Sequence, residues 1–416
     1  MVKKKIDDAL DSLDSVRPVK GKQQKKPDSS DDFTHDLISS LNKEFGTKVA
    51  YNLSVDESPT HVKRWISSGS RQLDFIIANR SNGGAPEGRI VEIFGPPSIG
   101  KSHIATQFAK STQKMGGIVV YIDTENATSV ENLALLGIDI TKRFVYIDTH
   151  CTEEVLAIAE STILKAKAMD KDVPVTIIWD SVAASSPKAE LMGDYDKDSI
   201  GLQARAISKG MRKITGVIAN QNVLFICLNQ IRTAIGVMHG DPTTVPGGRA
   251  IPFHASVRIK LGAGQQIKDA KDQVIGIHVS AKTIKNKVAP PFRSCDFEIH
   301  FGKGIVEHEE MFDVLRTHGE ENIDGKIVKV DGTGAWKTFT VTDASTGEVI
   351  HERKFYKKEF DAILREEAEW IDPLFERAMT YHLGNQKDPD VDDESYEEIR
   401  TIAEDGLSQL DGLESA

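Results

Sequence analysis

The chain has 416 residues, of which 39% are hydrophobic and 28% are charged. This length allows one large domain or two to three smaller ones. No apolar run approaches the roughly eighteen residues of a membrane-spanning helix, and no apolar segment follows the N-terminal lysines as in a signal peptide. We therefore expect a cytoplasmic protein without membrane contact, whose three widely spaced cysteines form neither a zinc site nor a disulfide framework.

The net charge of −11 is concentrated near the two termini. Residues 1–30 carry eight basic and five acidic residues, whereas residues 387–416 carry two basic and eleven acidic residues. The rest of the chain is only mildly acidic, so a nucleic-acid surface would have to be a local basic patch. Residues 1–32 form an N-terminal extension and residues 387–416 an acidic tail, and both are predicted to be disordered.

A helix is predicted over residues 33–45, with Asp31 or Asp32 as its N-cap and Gly46 as its end. Its large apolar residues share one face: Phe33, Leu37, Ile38, Leu41 and Phe45. A single helix cannot bury such a stripe, so it should dock on the core or on another subunit. Residues 33–88 are therefore treated as an N-terminal helix and linker.

The next stretch combines an apolar strand, a glycine-bounded loop and a helical pattern. The loop fits G-x-x-x-x-G-K-[ST] and consists of Gly95, Pro96, Pro97, Ser98, Ile99, Gly100, Lys101 and Ser102. Glycines let backbone N–H groups surround phosphate oxygens, and the following helix N-terminus adds partial positive charge. Lys101 would reach the β- and γ-phosphates of a nucleotide, and Ser102 would hold Mg²⁺. The alternative is a surface turn that happens to contain a lysine.

Strands and helices alternate from residue 89 to residue 304, which predicts an α/β core. The early strands are continuous apolar runs, typical of parallel strands covered on both faces. The last three have no long helix between them and should extend the sheet in antiparallel fashion. A smaller α+β unit is predicted over residues 305–386, with a helix near residues 358–370. The predicted strands are 89–94, 117–123, 143–148, 175–180, 223–230, 256–262, 276–285 and 297–302, and the predicted helices are 102–115, 128–136, 153–169 and 201–220.

Polar side chains stand at the ends of three of these strands. Asp180 follows an apolar strand, where the Mg²⁺-associated carboxylate of P-loop ATPases lies, although it could be a helix N-cap. Glu125, favoured over Asp123, could polarise the attacking water, although it could be an ordinary loop acid. Gln230 could sense a γ-phosphate through its amide, and the loop after it, residues 231–248, could order on a ligand or be a plain surface loop.

Together these residues resemble the RecA family of homologous-recombination ATPases, over about three quarters of the chain. The resemblance runs from about Leu37 to Trp336 and implies a RecA-type P-loop ATPase core with a small C-terminal α+β domain. Its most specific stretch is Asn229-Gln230-Ile231-Arg232, with Gly247-Gly248 following. The other matching stretches are 42–46, 88–95, Asp180-Ser181-Val182-Ala183-Ala184, Pro187-Lys188-Ala189-Glu190, Lys285-Asn286-Lys287 and Gly334-Ala335-Trp336.

The resemblance implies ATP and Mg²⁺ as cofactors and a role for each matching position. Glu125 would activate water, Asp180 would support the metal, and Gln230 would couple the γ-phosphate to the loop after it. Residues 190–201 and 231–248 would line a DNA groove, with contacts from Arg205, Arg232, Gly247 and Gly248. Lys285 and Lys287, otherwise readable as a solvated basic face, would reach the nucleotide of a neighbouring subunit, and helix 33–45 would dock on that neighbour.

The chain departs from the family pattern at two positions. His239 stands where the family usually has an aromatic residue, and Asn132 stands where it often stacks a tyrosine near adenine. The function expected is an ATP-dependent recombinase that forms a helical filament on single-stranded DNA and pairs it with homologous duplex, with a single-strand-binding protein or loader as a further partner. The alternatives are a hexameric helicase or motor on the same core, and a filament that uses ATP without hydrolysing it.

Overall fold

The computed structural model describes residues 29–193, 201–233, 243–306, 308–317, 320–323, 325–332, 334–356 and 359–384. The acidic tail and all but the last residues of the N-terminal extension lie outside them. The middles of the two candidate DNA segments, 190–201 and 231–248, also lie outside, together with His239. The chain divides into two compact units, residues 1–61 and residues 62–416.

The first unit contains one described helix, α1 (Ser29–Phe45), which begins four residues before the predicted helix. Phe33, Leu37 and Phe45 on its predicted apolar face are exposed. The side chain of Asn42 fixes the turn beyond the helix, because its Oδ1 accepts from the N–H groups of Val49 and Ala50. The stripe predicted from sequence is therefore present, and within the first unit it is not buried.

The second unit is built around a nine-stranded sheet. The eight predicted strands are all present, with ends shifted by at most six residues. They are β3 (Ile90–Gly95), β4 (Ile118–Asp123), β5 (Phe144–Asp148), β6 (Val175–Asp180), β7 (Leu224–Gln230), β10 (Val257–Lys268), β11 (Val274–Asn286) and β12 (Ser294–His300). A ninth strand, β13 (Gly304–Val306), was not predicted, and the order across the sheet is β13-β12-β11-β10-β3-β7-β6-β4-β5. Two short pairs lie outside this sheet, β1 (Trp65–Ile66) with β2 (Ala85–Pro86) and β8 (Arg232–Thr233) with β9 (Thr243–Thr244).

The direction of β10 corrects one expectation. β11 and β12 extend the sheet in antiparallel fashion as predicted, but β10 itself pairs with β3 in parallel. Residues 231–256 connect β7 to β10, and this is long enough for the crossover that parallel strands require. β3 therefore has parallel neighbours on both sides, and the carboxyl ends of the strands from β10 to β5 meet at one edge of the sheet.

Helices cover both faces of the parallel strands, as the continuous apolar runs predicted. Along β6, Ile178 packs in the core on one face, whereas Ile177 and Trp179 pack in the core on the other. The helices up to β10 are α2 (Arg71–Ala78), α3 (Lys101–Lys114), α4 (Val130–Leu135), α5 (Thr152–Met169), α6 (Lys188–Leu191), α7 (Leu202–Asn220) and α8 (Ala250–His254).

The C-terminal part contains a four-stranded antiparallel sheet and helices that pack on α2. Phe75 meets Phe375 edge to face at 5.9 Å, and Arg71 pairs with Asp372 at 2.5 Å. The single helix predicted near residues 358–370 is instead two helices. The elements are α9 (His308–Thr317), β14 (Glu320–Ile323), β15 (Lys326–Asp331), β16 (Trp336–Asp343), β17 (Val349–Tyr356), α10 (Phe360–Glu366) and α11 (Ala368–Gly384). Over the residues described, no helix combines the length and apolarity needed to cross a membrane.

Candidate functional site

The glycine-bounded loop joins the end of β3 to the start of α3, as predicted. Gly100 precedes α3 with φ of 90°, a conformation that favours glycine. Gly95 has no room for a side chain, because a Cβ there would lie 2.6 Å from the carbonyl oxygen of Leu261 on β10. The backbone of the loop is thus pressed against the neighbouring strand, with the N-terminus of α3 behind it.

The Lys101 ammonium lies inside this loop. It donates hydrogen bonds to the carbonyl oxygens of Gly95 at 3.3 Å and Pro96 at 2.7 Å. Burial lowers the pKa of Lys101, while the carboxylates of Asp180 and Glu125 act in the opposite direction. The structure therefore brings together the lysine and the two acids that the sequence assigned to one site.

Asp180 lies at the end of β6, level with Asp123 at the end of β4. The Tyr121 hydroxyl donates a hydrogen bond of 2.5 Å to Asp180 Oδ2. Burial raises the pKa of Asp180, and the hydroxyls of Tyr121 and Ser102 oppose that rise by donating to the carboxylate. Ser102 and Asp180 thus offer adjacent oxygen ligands, which fits Mg²⁺, since this ion commonly takes one or two protein oxygens and completes its shell with phosphates and water.

Asp123 and Glu125 have different surroundings, which bears on the choice between them. Burial alone would raise the pKa of Asp123, but hydrogen bonds from Thr128, Tyr146 and the Glu125 N–H lower it. Asp123 is thus occupied in holding the segment after β4. Glu125 instead accepts, at its Oε1, from the Ser181 hydroxyl and from Gln230 Nε2 at 3.1 Å. These partners place Glu125 beside the end of β6, where Asp180 lies, and leave it better suited than Asp123 to orient a water.

A cavity of about 390 Å³ opens beside the loop. Its lining includes Ser102, Asp180, Glu125, Asn132 and Phe301. Sequence reasoning placed Asn132 here but missed Phe301, which follows β12 and lies far away in sequence. It also missed His103, a lining residue whose pKa burial lowers to about 4, so its imidazole is neutral. Its position directly after Ser102, the last residue of the loop motif, could have indicated that His103 belongs to this cavity.

Lys285 and Lys287 do not line this cavity. Lys285 Nζ donates to the carbonyl oxygens of Pro252 at 2.7 Å and Phe253 at 2.8 Å, near the C-terminus of α8. β11 is antiparallel to β10, and β10 is parallel to β3, so that Lys285 is level with Arg258 and Glu92. The N–H of Lys287 donates to the carbonyl oxygen of Ser256. The phosphate loop begins at the opposite end of β3, about 10–16 Å further along the sheet at 3.3 Å per residue.

Arg205 and the two glycines assigned to DNA lie near one another. Gly247 and Gly248 adopt φ of 87° and 72°. A Cβ on Gly248 would lie 2.9 Å from the Ala204 Cβ, in the first turn of α7, where Arg205 is exposed. Arg232 begins the short β8–β9 pair directly after Gln230 and is exposed. The end of candidate DNA segment 231–248 thus lies against the first turn of α7, where candidate DNA segment 190–201 also ends.

Known proteins resemble the chain over most of its length. A family model described as the RecA N-terminal domain matches residues 34–306. The chain is 40% identical over 311 residues to Protein RecA of Ruminococcus albus, which covers 75% of this chain and 72% of that protein. It is 35% identical over 351 residues to Protein RecA of Geobacter metallireducens, which covers 84% and 96% respectively. Protein RecA of Wolinella succinogenes is 39% identical over 330 residues, covering 79% and 87%.

Proposed function

The chain belongs to the RecA family, and from that membership we propose that it is an ATP-dependent recombinase that assembles on single-stranded DNA and pairs it with homologous duplex. The observation that carries the proposal is the hydrogen bond from Gln230 to Glu125 at 3.1 Å. Gln230 ends β7, and the candidate DNA segment 231–248 begins at the next residue. A displacement of that segment would therefore move a donor directly bonded to the water-orienting acid.

The residues around the loop support ATP hydrolysis with Mg²⁺. Backbone N–H groups of residues 96–101 and the Lys101 ammonium would hold the phosphates, and Ser102 and Asp180 would hold the ion, which neutralises charge that develops on the phosphates. Glu125 would orient the attacking water. Because Gln230 and Ser181 bind the same Glu125 oxygen, a γ-phosphate that attracts the Gln230 amide would free one lone-pair direction on Glu125 for water.

Self-association into a filament is supported by two separate features. Three residues of the apolar stripe of α1, Phe33, Leu37 and Phe45, are exposed, so a second copy is a natural partner for the stripe. Lys285 and Lys287 lie at the edge of the sheet opposite the phosphate loop, so a nucleotide that they contact would be bound by another subunit. The proposed partners are single-stranded DNA, homologous duplex, further copies of the chain, and a single-strand-binding protein or loader.

Joint-molecule formation tests this function. The protein is mixed with ATP, Mg²⁺, a labelled single strand and supercoiled homologous duplex, and joint molecules are measured on a gel. Pairing should require ATP and homology, and Lys101→Ala and a heterologous duplex should both abolish it. ATP turnover without pairing, together with strand separation on a forked duplex, would favour the helicase alternative, and DNA binding with no turnover would favour a filament that does not hydrolyse ATP.

A further inference from the structure

His150 contacts the segment that carries Glu125, and the mechanism above does not use it. It lies between β5 and α5. Its Nδ1 is 2.9 Å from the carbonyl oxygen of Thr124, and its Nε2 is 3.2 Å from Asn126 Nδ2. Thr124 and Asn126 are the two neighbours of Glu125 in sequence, so one imidazole ring bonds both residues that flank the acid.

The two contacts together favour one tautomer of the His150 ring. A carbonyl oxygen can only accept, so Nδ1 carries a proton and donates it to Thr124. The amide nitrogen of Asn126 can only donate, so Nε2 accepts. The tautomer with its proton on Nδ1 therefore satisfies both partners at once, which a methyl group could not do.

The Glu125 segment needs such support because it lies in neither a helix nor a strand. Asp123 holds it through the Glu125 N–H at 2.9 Å. Two further bonds hold the side nearest β6: the N–H of Thr124 donates to Asp180 O at 2.7 Å, and the Thr124 hydroxyl donates to Ser181 O at 2.6 Å. His150 holds the carbonyl of Thr124 instead. Asn126 has φ of 51°, in the left-handed region that asparagine tolerates better than most residues. The direction in which Glu125 projects is thus set from two sides.

The main chain of His150 is fixed as well. Its carbonyl oxygen accepts from the N–H of Ser186 at 2.8 Å, and the N–H of Thr152 donates to Ser186 O at 2.9 Å. Ser186 leads through Pro187 into α6 and towards the candidate DNA segment 190–201. His150 therefore joins the Glu125 segment to the chain that enters this candidate DNA segment.

We propose that His150 is a positioning residue for Glu125, acting through Thr124 and Asn126. The inference rests on the proposed ATP hydrolysis and adds a residue to it. His150 is not part of the cavity lining, so its replacement should leave nucleotide binding intact and slow the step that needs a correctly placed Glu125. Small misplacements of a catalytic group are costly, up to roughly a hundredfold per ångström.

The experiment measures ATP turnover with single-stranded DNA for the full chain and its His150 variants. His150→Ala should lower kcat about tenfold and leave KM for ATP within about twofold of its original value. His150→Asn should stay within about threefold of the original kcat, because the asparagine Nδ2 can occupy the place of Nδ1 and donate to Thr124. His61→Ala, at an exposed histidine of the other compact unit, is the matched control and should change neither constant.

Each outcome decides the matter. An unchanged kcat for His150→Ala would overturn the inference, and so would His150→Asn that is as slow as His150→Ala. A rise in KM or a lower thermal midpoint that accounts for the loss would also overturn it, because the role would then be general folding. If the unaltered protein hydrolyses no ATP, the proposed function itself fails and the inference falls with it, which is distinct from a defect confined to the variants.

Discussion

Two regions of the molecule hold a lysine in the same manner but in opposite electrostatic settings, with Lys101 buried and Lys285 half-buried. Lys101 and Lys285 each donate to two backbone carbonyl oxygens, and burial lowers the pKa of both. Around Lys101, Asp180 and Glu125 counter that fall. Around Lys285, the cations Lys287 and Arg258 add to it, and Glu92 opposes them.

The Lys101 region combines cationic and acidic groups from one chain. The Lys285 region is mostly cationic, so its counter-charge would have to be an anion bound by another molecule. The loop around Lys101 has a lysine, the proposed metal ligands and the proposed water-orienting acid within one chain. The surroundings of Lys285 have excess positive charge, and Arg258 already pairs with Glu92 at 2.5 Å. We expect substitutions in the two regions to differ in whether another subunit can compensate for them.

The largest expected effect is that of Lys101→Ala. It should reduce DNA-dependent ATP turnover by about 10³-fold at every protein concentration, because the ammonium acts on phosphates bound by its own chain. Steady-state phosphate release is the measurement. Lys114→Ala, at an exposed lysine on the same helix, should be without effect. If the turnover of Lys101→Ala recovered at high protein concentration, another subunit could compensate for Lys101, and the expected difference between the two lysine regions would be wrong.

The next largest effect is expected for the combined change Lys285→Ala and Lys287→Ala. Turnover should fall about 10²-fold, because charge that would stabilise the transition state on a neighbouring nucleotide is lost. The double variant should bind a fluorescent ATP analogue like the unaltered protein, and Lys282→Ala on the same strand should retain turnover.

Mixing the two inactive proteins sharpens this prediction. In one arrangement of the mixed interface, the Lys285/Lys287 variant supplies an intact Lys101. The neighbouring Lys101→Ala subunit then supplies intact Lys285 and Lys287. Turnover of the mixture should therefore exceed that of either protein alone, when measured by phosphate release at equal total concentration. If the mixture turns over ATP no faster than either protein alone, all of these lysines act only on the nucleotide bound by their own chain.

A smaller effect is expected for Leu37→Ser on α1. The side chain is exposed within its unit, so the thermal midpoint should not change, but removing an apolar contact should weaken self-association about tenfold. Sedimentation against protein concentration measures it. His35→Ser, on the same helix outside the stripe, is the control. Turnover lost at low concentration should return at high concentration, unlike that of Lys101→Ala.

The smallest effect concerns Asp123, in the wall of the Lys101 site. Its pKa is lowered in the folded protein, so its carboxylate stabilises the fold above the unfolded pKa of about 3.8, and this contribution is lost as pH falls through the lower folded value. Asp123→Asn should lower the thermal midpoint by about 2 °C at pH 7, and the difference should shrink as the pH falls below about 4. Asp148→Asn, at the paired but exposed position on β5, should leave the midpoint unchanged.

The sequence predicted the parts of the site that depend on local pattern. The loop motif spans eight consecutive residues, and Asp180, Glu125 and Gln230 end strands or follow them directly, so a parallel sheet brings them to one edge without any knowledge of side-chain contacts. What it did not predict depends on register between distant strands. Examples are the bond from Tyr121 to Asp180 and the parallel direction of β10. His150 was missed because a single histidine after a strand has no pattern that distinguishes it.

The placement of the two lysine regions at opposite edges of one sheet gives the proposed assembly a direction. Contact between unlike edges is head-to-tail, and such contacts close into rings or continue as open chains. In an open chain of n subunits, n−1 nucleotide sites receive lysines from a neighbour, and one terminal site does not. Turnover per subunit should thus rise with chain length, and the two ends of each polymer should exchange subunits at unequal rates.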